Sequence, residues 1–357
     1  MKSNYDILGN HIRLIDTRNR ESITDRVLGI NIDKFFMPSV ANVIGTDLSK
    51  YKLITKGKFA CNPMHVGRDE RLPVALYDEE EPAIVSPAYF MFEVVDNSIL
   101  SEDYLMMWFR RPEFDRICWL HTDGSVRGGI TWDDICRLEL PIPPIEKQLE
   151  IVNSYKAITE RIALKKKIND NLDDTAQTLY QKYFESNSDK SSWKQGTVGD
   201  VLQLQRGHDL PRTEMTGGKY PVAGSTGTIG YHDEFTAEAP VIVMGRSGNI
   251  GNPRLYLCNC WTHNTSLYVK QIYEAEPLWV FYLLKNLNYD GFVGGSAVPT
   301  LNRNDVHAYG IAIPPLELQK FFSQKVMSLI YCKEENLSEI EKLQELQKII
   351  LTTMSSR

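Results

Sequence analysis

No run of about 18 apolar residues occurs in the 357-residue chain, so nothing in it reads as a membrane span. Its opening, Met1-Lys2-Ser3-Asn4-Tyr5-Asp6, lacks the apolar segment that a secretory leader requires. Cysteine is sparse: six, scattered along the chain, form no disulfide framework, and a reducing, cytoplasmic location is expected. Positive charge is scarce as well. Forty Lys and Arg face 46 Asp and Glu, a net charge of −6 and a pI near 5.7, whereas a dedicated nucleic-acid binder is usually basic. What the chain does have is an ordinary apolar fraction of 42%, which excludes disorder, and length enough for two domains.

Catalytic signatures are missing too. Gly245-Arg246-Ser247-Gly248-Asn249-Ile250-Gly251 is glycine-rich but fits neither G-x-G-x-x-G nor a P-loop. It reads as a tight strand-to-strand loop presenting Arg246. Asn62-Pro63-Met64-His65 is a partial match to the Asn-Pro-Pro-aromatic element of amino-methyltransferases, without the second proline, the aromatic or a cofactor loop. Cys258, Cys260 and His263 have no second Cys pair to close a tetrahedral metal site and read as alternating strand residues. Gly224-Ser225-Thr226-Gly227 is not a nucleophile elbow. No metal, cofactor or catalytic residue is therefore expected in this chain.

What is there is a duplication. Leu140-Pro141-Ile142-Pro143-Pro144-Ile145-Glu146-Lys147-Gln148 is echoed in the second half by Ile311-Ala312-Ile313-Pro314-Pro315-Leu316-Glu317-Leu318-Gln319. In the same register, Gly124-Ser125-Val126 faces Gly295-Ser296-Ala297, and Asp134-Ile135 faces Asp305-Val306. Leu8-Gly9-Asn10 and Val198-Gly199-Asp200 open the two halves.

Each half ends in a long helical stripe. Ile145, Leu149, Val152, Tyr155, Ile158, Ile162, Ile168, Leu172, Ala176, Leu179 and Tyr183 recur at helical steps, as do Phe322, Val326, Leu329, Leu337, Ile340, Leu343, Leu346 and Ile350. Pro144 suits a first helical turn, Glu146 the positive end of the dipole, and Glu185-Ser186-Asn187-Ser188-Asp189 a polar stop. Polar Lys333 interrupts the second stripe. A helix of roughly 40 residues is ~60 Å long, and two such narrow stripes are expected to pair antiparallel as a coiled coil. The remaining pieces look α+β. Strands are expected at Ala83-Ile84-Val85, Tyr89-Phe90-Met91-Phe92 and Pro240-Val241-Ile242-Val243-Met244, and amphipathic helices from Tyr104 to Arg111 and from Pro277 to Leu287. Strand order is not readable.

The polar loops carry residue types that read bases and phosphates: Arg and Lys match guanine edges, Asn and Gln adenine, hydroxyls phosphate. In the second half these are Gln203, Gln205, Arg206, His208, Asp209, Arg212, Lys219, Tyr220, Ser225, Thr226, Arg246, Ser247, Asn249, His263, Asn264 and Thr265. In the first half they are Arg18, Asn19, Arg20, Asn31, Lys34, Asn42, Asn62, His65 and Arg68.

In this arrangement the chain resembles the DNA-specificity (S) subunit of type I restriction–modification systems. The resemblance rests on the two Pro-Pro junctions quoted above, on Gly294-Gly295-Ser296-Ala297-Val298-Pro299-Thr300-Leu301-Asn302, on Leu179-Tyr180-Gln181-Lys182-Tyr183-Phe184 and on Trp193-Lys194-Gln195-Gly196-Thr197-Val198-Gly199-Asp200. In the first half, Arg127-Gly128-Gly129-Ile130-Thr131 departs from the family's Val-Pro-Thr-Leu-Asn form.

The resemblance implies two similar α/β target-recognition domains, 1–143 and 188–315. They are separated and joined by a central spacer helix, 144–187, and a C-terminal one, 316–357. It implies a non-catalytic subunit that reads a bipartite double-stranded DNA target through a pseudo-two-fold pair of domains. The helices would set the gap and dock two methyltransferase subunits. S-adenosylmethionine, ATP and Mg would belong to those subunits and to a motor-nuclease partner, and no membrane is involved. The competing expectation, from the residues alone, is a helical scaffold with two peptide- or protein-binding domains.

The acidic balance sits mainly in the first half. Residues 1–143 hold 17 basic and 22 acidic side chains, against 9 and 10 in residues 191–315. The chain alone is therefore expected to bind DNA poorly, and tightly only in complex.

Overall fold

The computed structural model describes residues 5–41, 43–64, 66–122, 128–289, 292–294 and 300–354. The chain divides into two compact units, one of Met1–Leu164 with Glu339–Arg357 and one of Lys165–Ser338. Each long helix is thus shared between the units.

In the first unit a four-stranded antiparallel sheet runs in the order Ile12–Ile15, Phe90–Val94, Phe59–Cys61, Val74–Leu76. Its two inner strands are almost wholly buried and apolar apart from Glu93, whose carboxylate is paired with Arg13 and Lys58. Phe59 stacks on Phe92 at 5.1 Å, and Phe109 from the helix Glu102–Phe109 meets both rings edge-on. A second sheet runs Phe36–Pro38, Val27–Ile30, Ala83–Val85, Lys52–Ile54, with its two middle strands parallel.

The second unit repeats this plan. Its main sheet runs Leu202–Arg206, Ser266–Ile272, Val241–Gly245, Gly251–Tyr256, the same order of equivalent strands. Its second sheet is Gly227–His232, Tyr220–Gly224, Trp261–Thr262, again with one parallel pair.

The repeated sequence elements turn out to be the hinges of this plan. Leu8–Asn10 and Val198–Asp200 are both single 3-10 turns. A Cβ on Gly9 would lie 2.9 Å from Cys136 Cβ, too close without a shift, and one on Gly199 a tight 3.2 Å from the His307 carbonyl, so glycine lets each turn pack closely on the short helices Trp132–Cys136 and Arg303–His307. The paired glutamines are both buried. Gln148 donates to the Ile99 and Pro143 carbonyls, each at 2.8 Å, and accepts from Ser101 N–H at 2.9 Å. Gln319 donates to the Pro314 carbonyl and accepts from Glu276 N–H, both at 2.9 Å. In each unit the glutamine therefore ties the start of a long helix to the N-cap residue of a core helix, Glu102–Phe109 or Pro277–Asn286.

The central helix runs Ile145–Tyr180 and closes in a π-helical turn, Gln181–Glu185. The C-terminal helix, Leu316–Thr353, is unbroken at Lys333, whose ammonium meets Asp173 at 2.5 Å within the second unit. Also there, the buried Asn336 amide donates to Asn169 at 2.9 Å. Within the first unit Arg161 pairs with Glu339, and Gln347 donates to Thr159 at 2.7 Å. In each unit the partner number falls as the other rises, which is antiparallel pairing. The central helix ends in an aromatic cluster: Tyr180 stacks on Tyr282 at 5.8 Å, and Phe184 meets Phe322 at 5.1 Å and Trp193 at 6.3 Å.

The expected strands fall at Ala83–Val85, Phe90–Val94 and Val241–Gly245, and the expected helices at Glu102–Phe109 and Pro277–Asn286. Cys258 departs from expectation. It is exposed in a bend beyond the strand Gly251–Tyr256, while Cys260 is buried on an isolated bridge to Ala237, so the two do not alternate along one strand. Among the described residues no His, Cys, Asp and Glu group is arranged to hold a metal. The elements Gly124-Ser125-Val126 and Gly295-Ser296-Ala297 lie outside the described residues.

Candidate nucleic-acid interface

The second unit gathers its polar loops around Thr265. The Thr265 carbonyl accepts from Arg246 N–H at 3.0 Å, and its hydroxyl lies 2.9 Å from His263 Nδ1 and 3.4 Å from Ser225 N–H. His208 and His263 form a parallel bridge between their strands' ends. Residues 246–250 are the hairpin loop between Val241–Gly245 and Gly251–Tyr256, as expected, and it closes so tightly that a Cβ on Gly245 would overlap the Asn249 carbonyl at 1.5 Å. In the sequence Thr265 is one polar loop residue among many. A lone threonine carries no signal that it is the hub.

Several expected base readers are spent on building these loops. Asn249 donates to the Ser225 carbonyl at 3.1 Å and accepts from Asn252 at 2.8 Å. Asn264 donates to Asp209. His263 Nε2 lies 3.3 Å from the Leu210 carbonyl, which can only accept, so both ring nitrogens are occupied. Thr226 is exposed at the hairpin tip, and Ser247 bridges to Thr300. Arg212 and Lys219 are exposed outside the Thr265 cluster, the latter 5.3 Å over the Tyr220 ring.

The guanidinia remain. Arg206, Arg246 and Arg303 line one open cleft of about 480 Å³ together with Leu267, Thr300, Leu301 and Asn302. Arg206 Nε reaches the Asn264 carbonyl at 3.4 Å. Among the described residues none of the three arginines has a carboxylate within ion-pair distance. Nothing in the sequence marks Arg303, although it directly follows the quoted Leu301-Asn302. Beside it, the N-cap residue Asn302 holds the short helix by accepting from Asn304 N–H. Burial, and secondarily Arg303, push the His307 imidazole below its ordinary pKa of 6.5, and its Nε2 accepts from Leu204 N–H at 2.8 Å.

The first unit treats its candidates differently, and two expectations are overturned. Asn19 is fully buried and donates to the Thr24 carbonyl at 2.8 Å, a loop staple that no base edge can reach. Lys34 is 4% exposed. Its ammonium meets Asp115 at 2.6 Å and the Phe109 carbonyl at 2.5 Å, over the Phe114 ring at 4.7 Å. Arg18 is held by Asp16 at 2.6 Å and by the Lys50 carbonyl at 2.7 Å. Arg68 is exposed but bound through two nitrogens to its neighbour Asp69. Asn31 and Asn62 each accept from a backbone N–H two residues on, which is turn building. Arg20 is exposed. Asn42 and His65 lie outside the described residues.

Residues 190–349 match the family model described as type I restriction modification DNA specificity domain. Over this stretch the chain is similar to that DNA-specificity family. Its relatives include the putative type I restriction enzyme MjaX specificity subunit of Methanocaldococcus jannaschii, 21% identical over 98% of this chain and 88% of that protein. The EcoprrI specificity subunit of Escherichia coli is 21% identical over 38% of this chain and 35% of that protein. In fold, the chain is similar to the S subunit of a type I restriction–modification system from M. genitalium, with a TM-score of 0.62 at 16% identity, covering 100% of this chain and 97% of that one. A chain from a structure describing complex assembly and conformational transition of the type I system matches with a TM-score of 0.50 at 16% identity, over 98% and 96%. No helix among the described residues is long and apolar enough to cross a membrane.

Proposed function

We propose that this chain is the non-catalytic sequence-specificity subunit of a type I restriction–modification complex. Each unit reads one half of a bipartite double-stranded DNA target, and the two long helices set the gap and dock two methyltransferase subunits. The observation that carries this is the repeated unit: two sheets of the same strand order, each tied by a buried glutamine to the start of a long helix. A duplicated reader suits a target of two half-sites, whose centres fall about 34–36 Å apart when both are read on one face of B-DNA. The methyltransferase subunits supply S-adenosylmethionine and flip the target base. ATP and Mg belong to a motor-nuclease partner, and this chain needs no cofactor of its own.

The test is a gel shift of the assembled methyltransferase–specificity complex on duplexes whose half-site gap is changed by two base pairs. Binding should collapse when the gap changes. Equal binding to every gap contradicts the ruler. Binding that ignores salt contradicts a DNA role, because phosphate contacts make log K fall with log salt.

A further inference from the structure

Equivalent positions in the two units can be fixed residue by residue. Leu301 N–H donates to the Arg246 carbonyl at 2.8 Å, and Ile130 N–H donates to the Pro63 carbonyl at 3.1 Å. Leu301 and Ile130 are separated along the chain by the same spacing as Pro315 and Pro144, so Pro63 stands where the second unit has Arg246. That spacing also places Trp132 opposite Arg303, each the first residue of a five-residue helix. Counting from the 3-10 turns, Asp16 stands opposite Arg206.

All three cleft arginines are therefore replaced in the first unit. Trp132 packs on Phe90 and Phe92 at 5.7 and 5.3 Å, filling the place with apolar surface. Asp16 brings a negative charge, held by Arg18 and Lys52. One duplicated scaffold thus carries three guanidinia with no ion-pair partner among the described residues in one copy, and a proline, an indole and a carboxylate in the other. A guanidinium is always charged and its planar fork fits phosphate oxygens. Three of them around one open cleft, with no carboxylate among the described residues that line it, call for an anion with several repeating charges.

We propose that Arg206, Arg246 and Arg303 form a phosphodiester-binding cleft that the first unit lacks, so that the two units hold DNA unequally. The second unit carries the sequence-independent, salt-sensitive part of the affinity. This rests on the DNA reading given above.

The test measures binding of the full chain to a fluorescent duplex across a salt series that begins low, where weak backbone binding is visible. The probes are the native chain and the combined variant Arg206→Gln, Arg246→Gln, Arg303→Gln. A second variant, Arg13→Gln, Arg26→Gln, Arg71→Gln, removes the same number of charges from the first unit. The cleft variant should lower the slope of log K against log salt by about 2 to 3, at ~0.9 for each phosphate no longer neutralised. The first-unit variant should leave it nearly unchanged. The triple lysine variant of the cleft, which keeps the charge, should retain the slope and guards against a folding artefact.

Equal loss in the two glutamine variants would overturn the cleft in favour of general charge. An unchanged slope in the cleft variant, or a loss confined to one base position, would overturn it as well while leaving a DNA-reading subunit intact. Failure of the native chain to bind any duplex at low salt would overturn the cleft, and the gap experiment on the assembled complex then decides the specificity reading separately.

Discussion

The two units share a strand plan but use their cations in opposite ways. From Arg13 to Arg137, twelve lysines and arginines of the first unit pair with carboxylates among the described residues. Between residues 194 and 313 of the second unit, no ion pair is found among the described residues. Even the acidic run at Asp78-Glu79-Glu80-Glu81 serves the first pattern, since Glu79 holds Arg26 and Glu80 holds Lys56. A duplicated fold can therefore keep its framework and change its electrostatic role. In the first unit the positive charge is paired with carboxylates, and in the second it stands without an ion pair among the described residues.

That contrast can be broken at its strongest point by Lys34→Met, which leaves the Asp115 carboxylate without its buried cation. The first unit should lose about 3–5 kcal/mol in chemical denaturation, with the salt dependence of DNA binding unaltered. Arg246→Ala should do the reverse, weakening binding about equally on every duplex and lowering the salt slope by about 1 while the melting temperature holds.

A pH difference should separate the units as well. Burial lowers the His307 pKa below 6.5, so the unfolded chain binds the proton more readily than the folded second unit does. Its contribution is then fully present above about pH 6.5 and is lost as the pH falls below that value. Cys136 stands at the equivalent place in the first unit and does not titrate there. Melting curves from pH 7.5 down to about 5.5 should show the second unit weakening, and His307→Gln should flatten that trend. The smallest effect is expected from Glu79→Gln. It breaks an exposed, solvent-screened pair with Arg26 and should leave the chemical denaturation midpoint nearly unchanged.

Much of the framework was legible because it depends on residues with few alternatives. Pro-Pro cannot continue a strand, a buried glutamine recurs at the fourth position of both long helices, and the apolar stripes run too long to be accidental. Strand order was hidden because most strands of the first unit span only three or four residues and pair with partners far away in sequence. The short helices Trp132–Cys136 and Arg303–His307 show no periodicity that could announce them.

The site was legible only by residue type. Arg206, beside a glycine, is exposed as its type suggests, but nothing local distinguishes Lys34 or Asn19, both buried, from solvated neighbours. Side-chain amides were expected to face bases, and Asn249 and Asn264 instead hold the loops together. Arg303 was missed because its meaning comes from Arg206 and Arg246, both far earlier in the chain and joined to it only by the fold.

The central claim, a two-part DNA address read by a duplicated chain, is tested most directly by sequencing base methylation across the host genome with and without this chain. A bipartite motif of two short halves at one fixed gap should be methylated in its presence and lose that mark entirely in its absence. An unchanged methylation map, or the loss of a mark at a continuous site with no gap, would contradict it.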